Sequence, residues 1–399
     1  MTSWDVAPLG SLVRDVKPGF ACGEDDPGGV FQLRMNNVTR DGKLDLAKRR
    51  RVPREMPAVA KSLLSVNDVL FNSTNSPEMV GKTLLFRGGD EPTVYSNHFL
   101  RIRVDGSKLD PAFLASWLLS QFSRGVFLGM CRQWVNQATV GKDALLGLKV
   151  PLPPIATQKR IAAVLEQVDT LRAKRREAIA LLDNLTQSIF LDTFGDPANL
   201  GVAWERKTIG ALGTVVTGNT PSRTDMGNYG EGIEWVKTDN IDPSCLYVAP
   251  ALERLSEHGE EIARVVPAEA ILVTCIAGSP ASIGRSAMTG RRVAINQQIN
   301  AFISRDMLPR FALEQLRIGK RLIQAKSTGA MTGLVNKSQF SSIELIVPPL
   351  GMQKEFTERM ESMDRVRAAH VDHLATLDEL FESFQQRAFA GPPWQHEAA

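Results

Sequence analysis

The chain has 399 residues, more than one ordinary core accommodates, so two or three domains are expected. Hydrophobic residues make up 43% and charged residues 23%, which excludes extensive disorder, and no apolar run reaches the ~20 residues that would span a bilayer. Net charge is only +3, and the four cysteines (Cys22, Cys131, Cys245, Cys275) form no C-x-x-C pair, which argues against a zinc ribbon or disulfide framework and fits a reducing cytoplasm.

The chain starts MTSWDVAPLG, without the basic and apolar regions of a signal peptide, so a cytoplasmic protein is expected. Residues 1–152 carry 20 Lys and Arg against 15 Asp and Glu, the most basic part of the sequence. Strand-like runs fall at 30–34, 69–72, 83–86 and 99–104, and a helix is expected over 111–122. Residues 153–197 open with Pro153-Pro154, continue as a heptad pattern and close at Gly195-Asp196-Pro197, which predicts one long helix. In residues 198–347, strands are expected at 232–236, 271–276, 292–295 and 301–304, with a helix over 309–326. Residues 348–391 repeat the proline-led heptad pattern and end at Gly391-Pro392-Pro393, leaving 392–399 as a tail.

The two helical stretches are copies. Shifting the first by 195 residues superposes Gln158 on Gln353, Asp169 on Asp364, Arg172 on Arg367, Asp183 on Asp378 and Phe194 on Phe389, without a gap. The flanking parts repeat more faintly, as Trp4 with Trp204, Asn37-Val38 with Asn240-Ile241 and Gly81-Lys82 with Gly284-Arg285. One apolar seam runs down each helix: Ile161, Val168, Leu171, Leu182 and Leu185 in the first, Met363, Val366, Leu377 and Leu380 in the second. A helix of ~38 residues is ~57 Å long. Two such helices, connected as they are here, pack together only if they run antiparallel with a globular domain at each end. The expected class is therefore α+β: two mixed α/β globular domains separated by two long antiparallel coiled-coil helices, with a pseudo-twofold internal repeat.

A proline-rich lead into Q-K-R-I-A-x-x-L-x-x-x-D, closed by F-G-D-P and followed by Trp204-Glu205, resembles the central conserved region of type I restriction–modification specificity subunits. Thr217-Gly218-Asn219-Thr220-Pro221-Ser222, residues 234–241, Ile283-Gly284-Arg285 and Asn296-Gln297-Gln298 look like a target recognition domain, and the first half matches more loosely through Asn36-Asn37-Val38 and Ser96-Asn97-His98. The resemblance implies a non-catalytic subunit that binds double-stranded DNA at a bipartite, asymmetric target, one half-site per recognition domain. It also implies assembly with two modification subunits, which methylate adenine, and with restriction subunits, which carry ATP hydrolysis and cleavage. No cofactor, metal or membrane is expected.

DNA reading needs cations for phosphates and short polar side chains for base edges. The candidates in the first domain are Asn36, Asn37, Lys48, Arg49, Arg50, Arg51, Lys82, Asn97 and Asn136, with Arg54, Asn72, Asn75, Gln133 and Gln137 as further possibilities. Those in the second are Thr220, Ser222, Arg223, Lys237, Thr238, Arg285, Gln297 and Gln298, with Asp239 and Ser279 beside them. Enzyme motifs fail: Val80-Gly81-Lys82-Thr83 has Ser76 where a P-loop needs glycine, and no N/D-P-P-Y/F methyltransferase motif occurs. His370 and His373 share one helix, but both fall on the heptad positions, so packing is expected rather than a metal. The alternative to a DNA reader is a coiled-coil adaptor that binds proteins at its globular ends.

Overall fold

The computed structural model describes residues 4–134, 137–199, 204–328 and 333–391. The chain divides into two compact units, residues 1–175 with 373–399, and residues 176–372. Both are mixed α/β, as the sequence pattern predicts.

In the first unit, an antiparallel sheet orders its strands Val13–Pro18, Phe99–Val104, Val69–Asn72 and Thr83–Leu85. Val69–Asn72 is buried on both faces, which suits its run of Val, Leu and Phe. The helix Pro111–Ser123 begins with Asp110 accepting from the Ala112 and Phe113 amides, with Pro111 at the first helical position. It lays Phe113, Leu114 and Leu118 on the sheet. A smaller sheet joins Arg51–Val52, Val30–Leu33 and Thr93–Tyr95, and Val6–Pro8 pairs with Lys149–Pro151.

The second unit repeats this plan. Its sheet runs Gly213–Thr217, Ile299–Ser304, Ile271–Thr274, Ser286–Met288, covered by the helix Pro309–Ile318. A second sheet orders Arg254–Leu255, Tyr229–Val236, Val293–Ile295 and Arg264–Val266, and Arg206–Thr208 pairs with Glu344–Ile346.

The long helices are Ile155–Phe194, 40 residues, and Leu350–Ala390, 41 residues. Each unit takes in the start of one and the end of the other. In the first unit, Ile161 and Leu165 are buried in one core with Phe384 and Ala388. In the second, Phe190 and Phe194 pack edge-on against Phe356, and Phe311 of the covering helix completes the aromatic cluster. Burying each such side chain contributes about 1.5–3 kcal/mol, so the helix ends belong to the cores they enter. Buried Gln158 accepts from the Asp110 amide and donates to the Lys108 and Pro153 carbonyls. Gln353 does the same with the Leu308 amide and the Pro348 carbonyl. The Trp4 indole donates to the Ala388 carbonyl at 2.9 Å and the Trp204 indole to the Phe194 carbonyl at 2.9 Å.

The apolar seam corrects the sequence expectation. Ile161 and Val168 are buried, and Leu182, Met363 and Leu377 are half-buried, but Leu171, Leu185, Val366 and Leu380 are 40–48% exposed. Where the helices meet in the first unit, Arg172 donates to Asp378 at 2.5 Å and lies 4.5 Å over the Phe381 ring. In the second unit, Arg367 donates to Asp183 at 2.9 Å. Heptad counting follows hydrophobicity alone, whereas each helix also turns a face to its globular part, which rotates the stripe. Among the described residues, no helix is long and apolar enough to cross a membrane and no cluster of ligands could hold a metal ion.

Candidate nucleic-acid interface

In each unit three chain segments converge at one edge of the sheets, held by main-chain bonds. In the first unit, the Gly19 amide donates to the Phe99 carbonyl, Phe20 to Tyr95, Ser96 to Leu33 and Asn97 to Phe20. In the second, Gly218 donates to Ile299, Asn219 to Ile295 and Asn296 to Val236. The approach is too close for a side chain at the glycine. A Cβ at Gly19 would lie 2.2 Å from the Tyr95 carbonyl oxygen, and one at Gly218 would lie 2.1 Å from that of Asn296. The tight turns 96–98 and 296–298 are thereby pressed against the loops that leave the edge strands.

The side chains at this convergence correspond in position and differ in kind. Asn97 matches Gln297, both exposed, and half-buried His98 matches half-buried Gln298. Burial, and after it the charge of Arg34, holds the His98 imidazole below its usual value, so it is neutral at pH 7. Strand Val30–Leu33 ends in Arg34 and strand Tyr229–Val236 runs into Lys237, each opening a single 3-10 turn. Arg34 was missed in the sequence because the first-half match was begun at Asn36. The pairing of Asn37 with Asn240 places it opposite Lys237, but that pairing was not carried back to residue 34.

Several candidates turn inward. Asn37 is buried: its Oδ1 accepts from the Arg34 amide at 3.0 Å, and its Nδ2 donates to the Asp45 and Lys48 carbonyls at 2.9 and 2.7 Å. It builds the turn and has nothing left for a base. Asn240 mirrors it, accepting from Lys237 and donating to Pro250. Lys82 is buried with its Nζ on the Met35 and Val38 carbonyls, and burial followed by the Arg40 charge holds its ammonium below the usual value. Arg51 is spent in a bidentate pair with Glu91, at 2.5 and 2.9 Å, and on the Gly29 carbonyl. Asn72 is fully buried, holding the Thr74 and His98 carbonyls, and Asn75 donates to it. Asn136 lies outside the described residues, as does the side chain of Gln133.

The remainder stays outward. Asn36, Lys48 and Arg49 are exposed, Arg49 beside Glu91 at 3.3 Å, while Arg50 donates to the Glu24 carbonyl. Because Asn37 clamps Asp45 and Lys48, this basic run lies next to the Arg34 turn. Thr220 Oγ1 donates to Gln297, which ties the 219–222 loop to the turn. Ser222 and Arg223 are exposed on that loop, and Thr238 is half-buried. Arg285 is exposed and linked to Gln298 through the chain, since Thr274 donates to the Arg285 carbonyl and Cys275 to that of Gln298. Sequence reading quoted Trp235 within the 234–241 motif without a role and missed Tyr229 and Glu253; the three gather around Arg223 and Lys237.

The arrangement presents cations, amides and hydroxyls on a frame held by main-chain bonds, without a metal-ligand cluster among the described residues. Comparison with known proteins agrees in kind. The family model "Type I restriction modification DNA specificity domain" matches residues 54–181 and 201–375. The chain is 24% identical over 385 residues to a protein assigned as the MjaX type I restriction enzyme specificity subunit of Methanocaldococcus jannaschii, covering 90% of this chain and 87% of that one. It is 31% identical over 151 residues to the HindI specificity subunit of Haemophilus influenzae, covering 36% and 32% respectively. In fold it resembles the type I S subunit from M. genitalium (TM-score 0.61, 14% identity, 97% and 96% covered). A chain from a study of assembly and conformational transition of the type I R-M system gives TM-score 0.57 at 18% identity, with 98% of each covered.

Proposed function

The chain belongs to the type I restriction–modification DNA specificity family, and on that premise we propose that it reads a bipartite, asymmetric target, one half-site with each unit. As a specificity subunit it recognises DNA and is not itself the catalyst. The observation that carries the bipartite reading is the duplicated convergence just described, furnished with Arg34, Asn97 and His98 in one unit and Lys237, Gln297 and Gln298 in the other. Like frames with unlike side chains select unlike sequences. Lys48, Arg49 and Arg34 serve the phosphates in the first unit and Arg285 in the second, while Lys237, which shares Glu253, lies at the base-reading edge. Asn36, Asn97, Thr220, Ser222, Thr238, Gln297 and Gln298 are offered to base edges.

The long helices act as an antiparallel coiled coil with pseudo-twofold symmetry. Two ion pairs support this: Arg172 with Asp378, and Arg367 with Asp183, are the same pair with the helices exchanged, since each residue has its counterpart 195 positions away. Helices of this length are ~60 Å long, an upper limit on half-site spacing, and centres about one turn of duplex apart are expected. The apolar residues left exposed on the helices, Leu171, Leu185, Val366 and Leu380, are suited to the two modification subunits, with restriction subunits joining that assembly.

The test is modified-base sequencing of DNA from cells carrying this chain with its modification subunits. An interrupted, non-palindromic target is expected; a continuous or palindromic one would overturn the reading. A gel-shift with the assembled complex should weaken steeply between low and raised salt. Binding that ignores salt would favour a protein-binding adaptor instead.

A further inference from the structure

Arg223 is held by a carboxylate and two aromatic rings. Its Nη2 meets Glu253, 3.0 Å from Oε1 and 3.3 Å from Oε2. Its guanidinium carbon lies 5.3 Å from the centroid of the Tyr229 ring and 5.6 Å from that of Trp235. Those rings stand edge to face at 6.0 Å, so the flat group rests in an aromatic corner while its side chain remains 61% exposed. Only Nη2 is engaged by the carboxylate, so one of the two bidentate edges of the fork stays open. Arg51 is the contrast: it gives both Nη1 and Nη2 to Glu91, spends Nη1 again on the Gly29 carbonyl, and is 30% exposed.

The loop carrying Arg223 is braced by groups that do not move easily. Buried Asn228 donates to the Ser222 carbonyl at 3.0 Å, the Tyr229 hydroxyl to Pro221 at 2.8 Å and the buried Trp235 indole to Asn219 at 3.3 Å. Thr220 then fixes the loop to Gln297. Glu253 also binds Lys237, whose ammonium lies 4.8 Å over Trp235. One carboxylate therefore offsets much of the charge of two cations. Beside a phosphate it would repel; beside the uncharged N7 and O6 acceptors of guanine it only orients the donors. A rigid, buttressed, part-neutralised fork with an open edge is suited to a base and poorly suited to a backbone.

We propose that Arg223 reads a guanine in the half-site recognised by the second unit, with Glu253, Trp235 and Tyr229 as its positioning residues. This deepens the function proposed above and rests on it. The experiment uses the chain assembled with its modification subunits, as wild type, Arg223→Ala and Glu253→Gln. Modified-base sequencing gives the target of each, and gel-shift titrations measure binding to duplexes altered at every position of the second half-site. The wild-type half-site should contain an invariant G·C pair. Arg223→Ala should lose on the order of 10- to 100-fold affinity for the intact target. It should also lose preference at that one pair, so that altering the guanine costs the variant nothing further. Glu253→Gln should relax the same position partially, without changing the salt slope. The first half-site, read in the same experiments, controls for folding.

A second half-site without guanine would overturn the proposal. So would an Arg223→Ala complex weakened equally on all sequences with its salt slope reduced by about one, the mark of a phosphate contact. A wild-type complex with no sequence preference would overturn the functional reading itself, and this inference with it.

Discussion

Replacing Asn37 with alanine removes three hydrogen bonds from the turn that carries Arg34: one from the Arg34 amide and two to the carbonyls of Asp45 and Lys48. Neutral bonds contribute about 1 kcal/mol net each. The Asp45 and Lys48 carbonyls sit in exposed residues and regain water, so the loss falls slightly below the full sum, at about 2–3 kcal/mol. It is local, because the bonds all lie within 34–48. Hydrogen exchange measured peptide by peptide is the assay. Amides of 34–48 should lose roughly 30- to 150-fold of their protection. Residues 237–250 should remain as in the wild type, and Asn240→Ala should give the reverse pattern. The DNA complex should weaken as the Lys48–Arg50 run loosens. Unchanged protection in 34–48, or a loss spread equally over both windows, would refute the view that Asn37 is a builder of the turn.

The ion pairs between the helices give a second prediction. A double-mutant cycle on Arg172 and Asp378, by thermal denaturation, should return a coupling of about 0.5–1 kcal/mol, because Arg172 is mostly covered and Asp378 is not. A coupling indistinguishable from zero would contradict the seam described. Gly218→Ala should cost about 1–3 kcal/mol, since its Cβ meets main chain at 2.1 Å. Gly278→Ala, where nothing lies within 4 Å, should be near neutral, and equal melting losses would refute the close approach. The His98 imidazole has a folded pKa below 6.5, so its contribution to stability is intact above that pH and is lost as pH falls from 6.5 through the folded value. His98→Gln, the residue found at its counterpart Gln298, should therefore flatten the fall in stability below pH 6.5, as seen in denaturant midpoints across pH. An unaltered slope would show that another group is responsible.

What could be read from the sequence was what periodicity and duplication encode. The proline-led helices, the central strands and the covering helices at 111–122 and 309–326 appear close to where their patterns put them, the last broken at Gly319 into Pro309–Ile318 and Lys320–Gln324. The pairs Gln158/Gln353 and Trp4/Trp204 stood out by identity; the folded chain uses the glutamines in the same bond, and each indole on a carbonyl near the end of a long helix, one residue out of register. Direction was not legible. Asn37 and Lys82 have the chemistry of DNA-binding residues, but the carbonyls of Met35, Val38, Asp45 and Lys48 need donors, and only the tertiary fold brings them near. Short strands such as Val6–Pro8 and Arg206–Thr208 were missed because three residues carry no period; their partners, Lys149–Pro151 and Glu344–Ile346, lie far along the chain. The buttress Glu253 is likewise invisible without knowing that Trp235 and Arg223 share a corner.

The joints between helix and globule carry one more consequence. Gln158 and Gln353 grip only main-chain atoms of the globular parts, and the indoles of Trp4 and Trp204 grip only main-chain carbonyls. These bonds are indifferent to the side chains around them, whereas the apolar ends of the helices also need a matching core, such as Phe311 against Phe190, Phe194 and Phe356. A lineage can therefore rewrite the outer loops of either globule and acquire a new target, while the main-chain fitting and the few core side chains packed on the shaft stay the same.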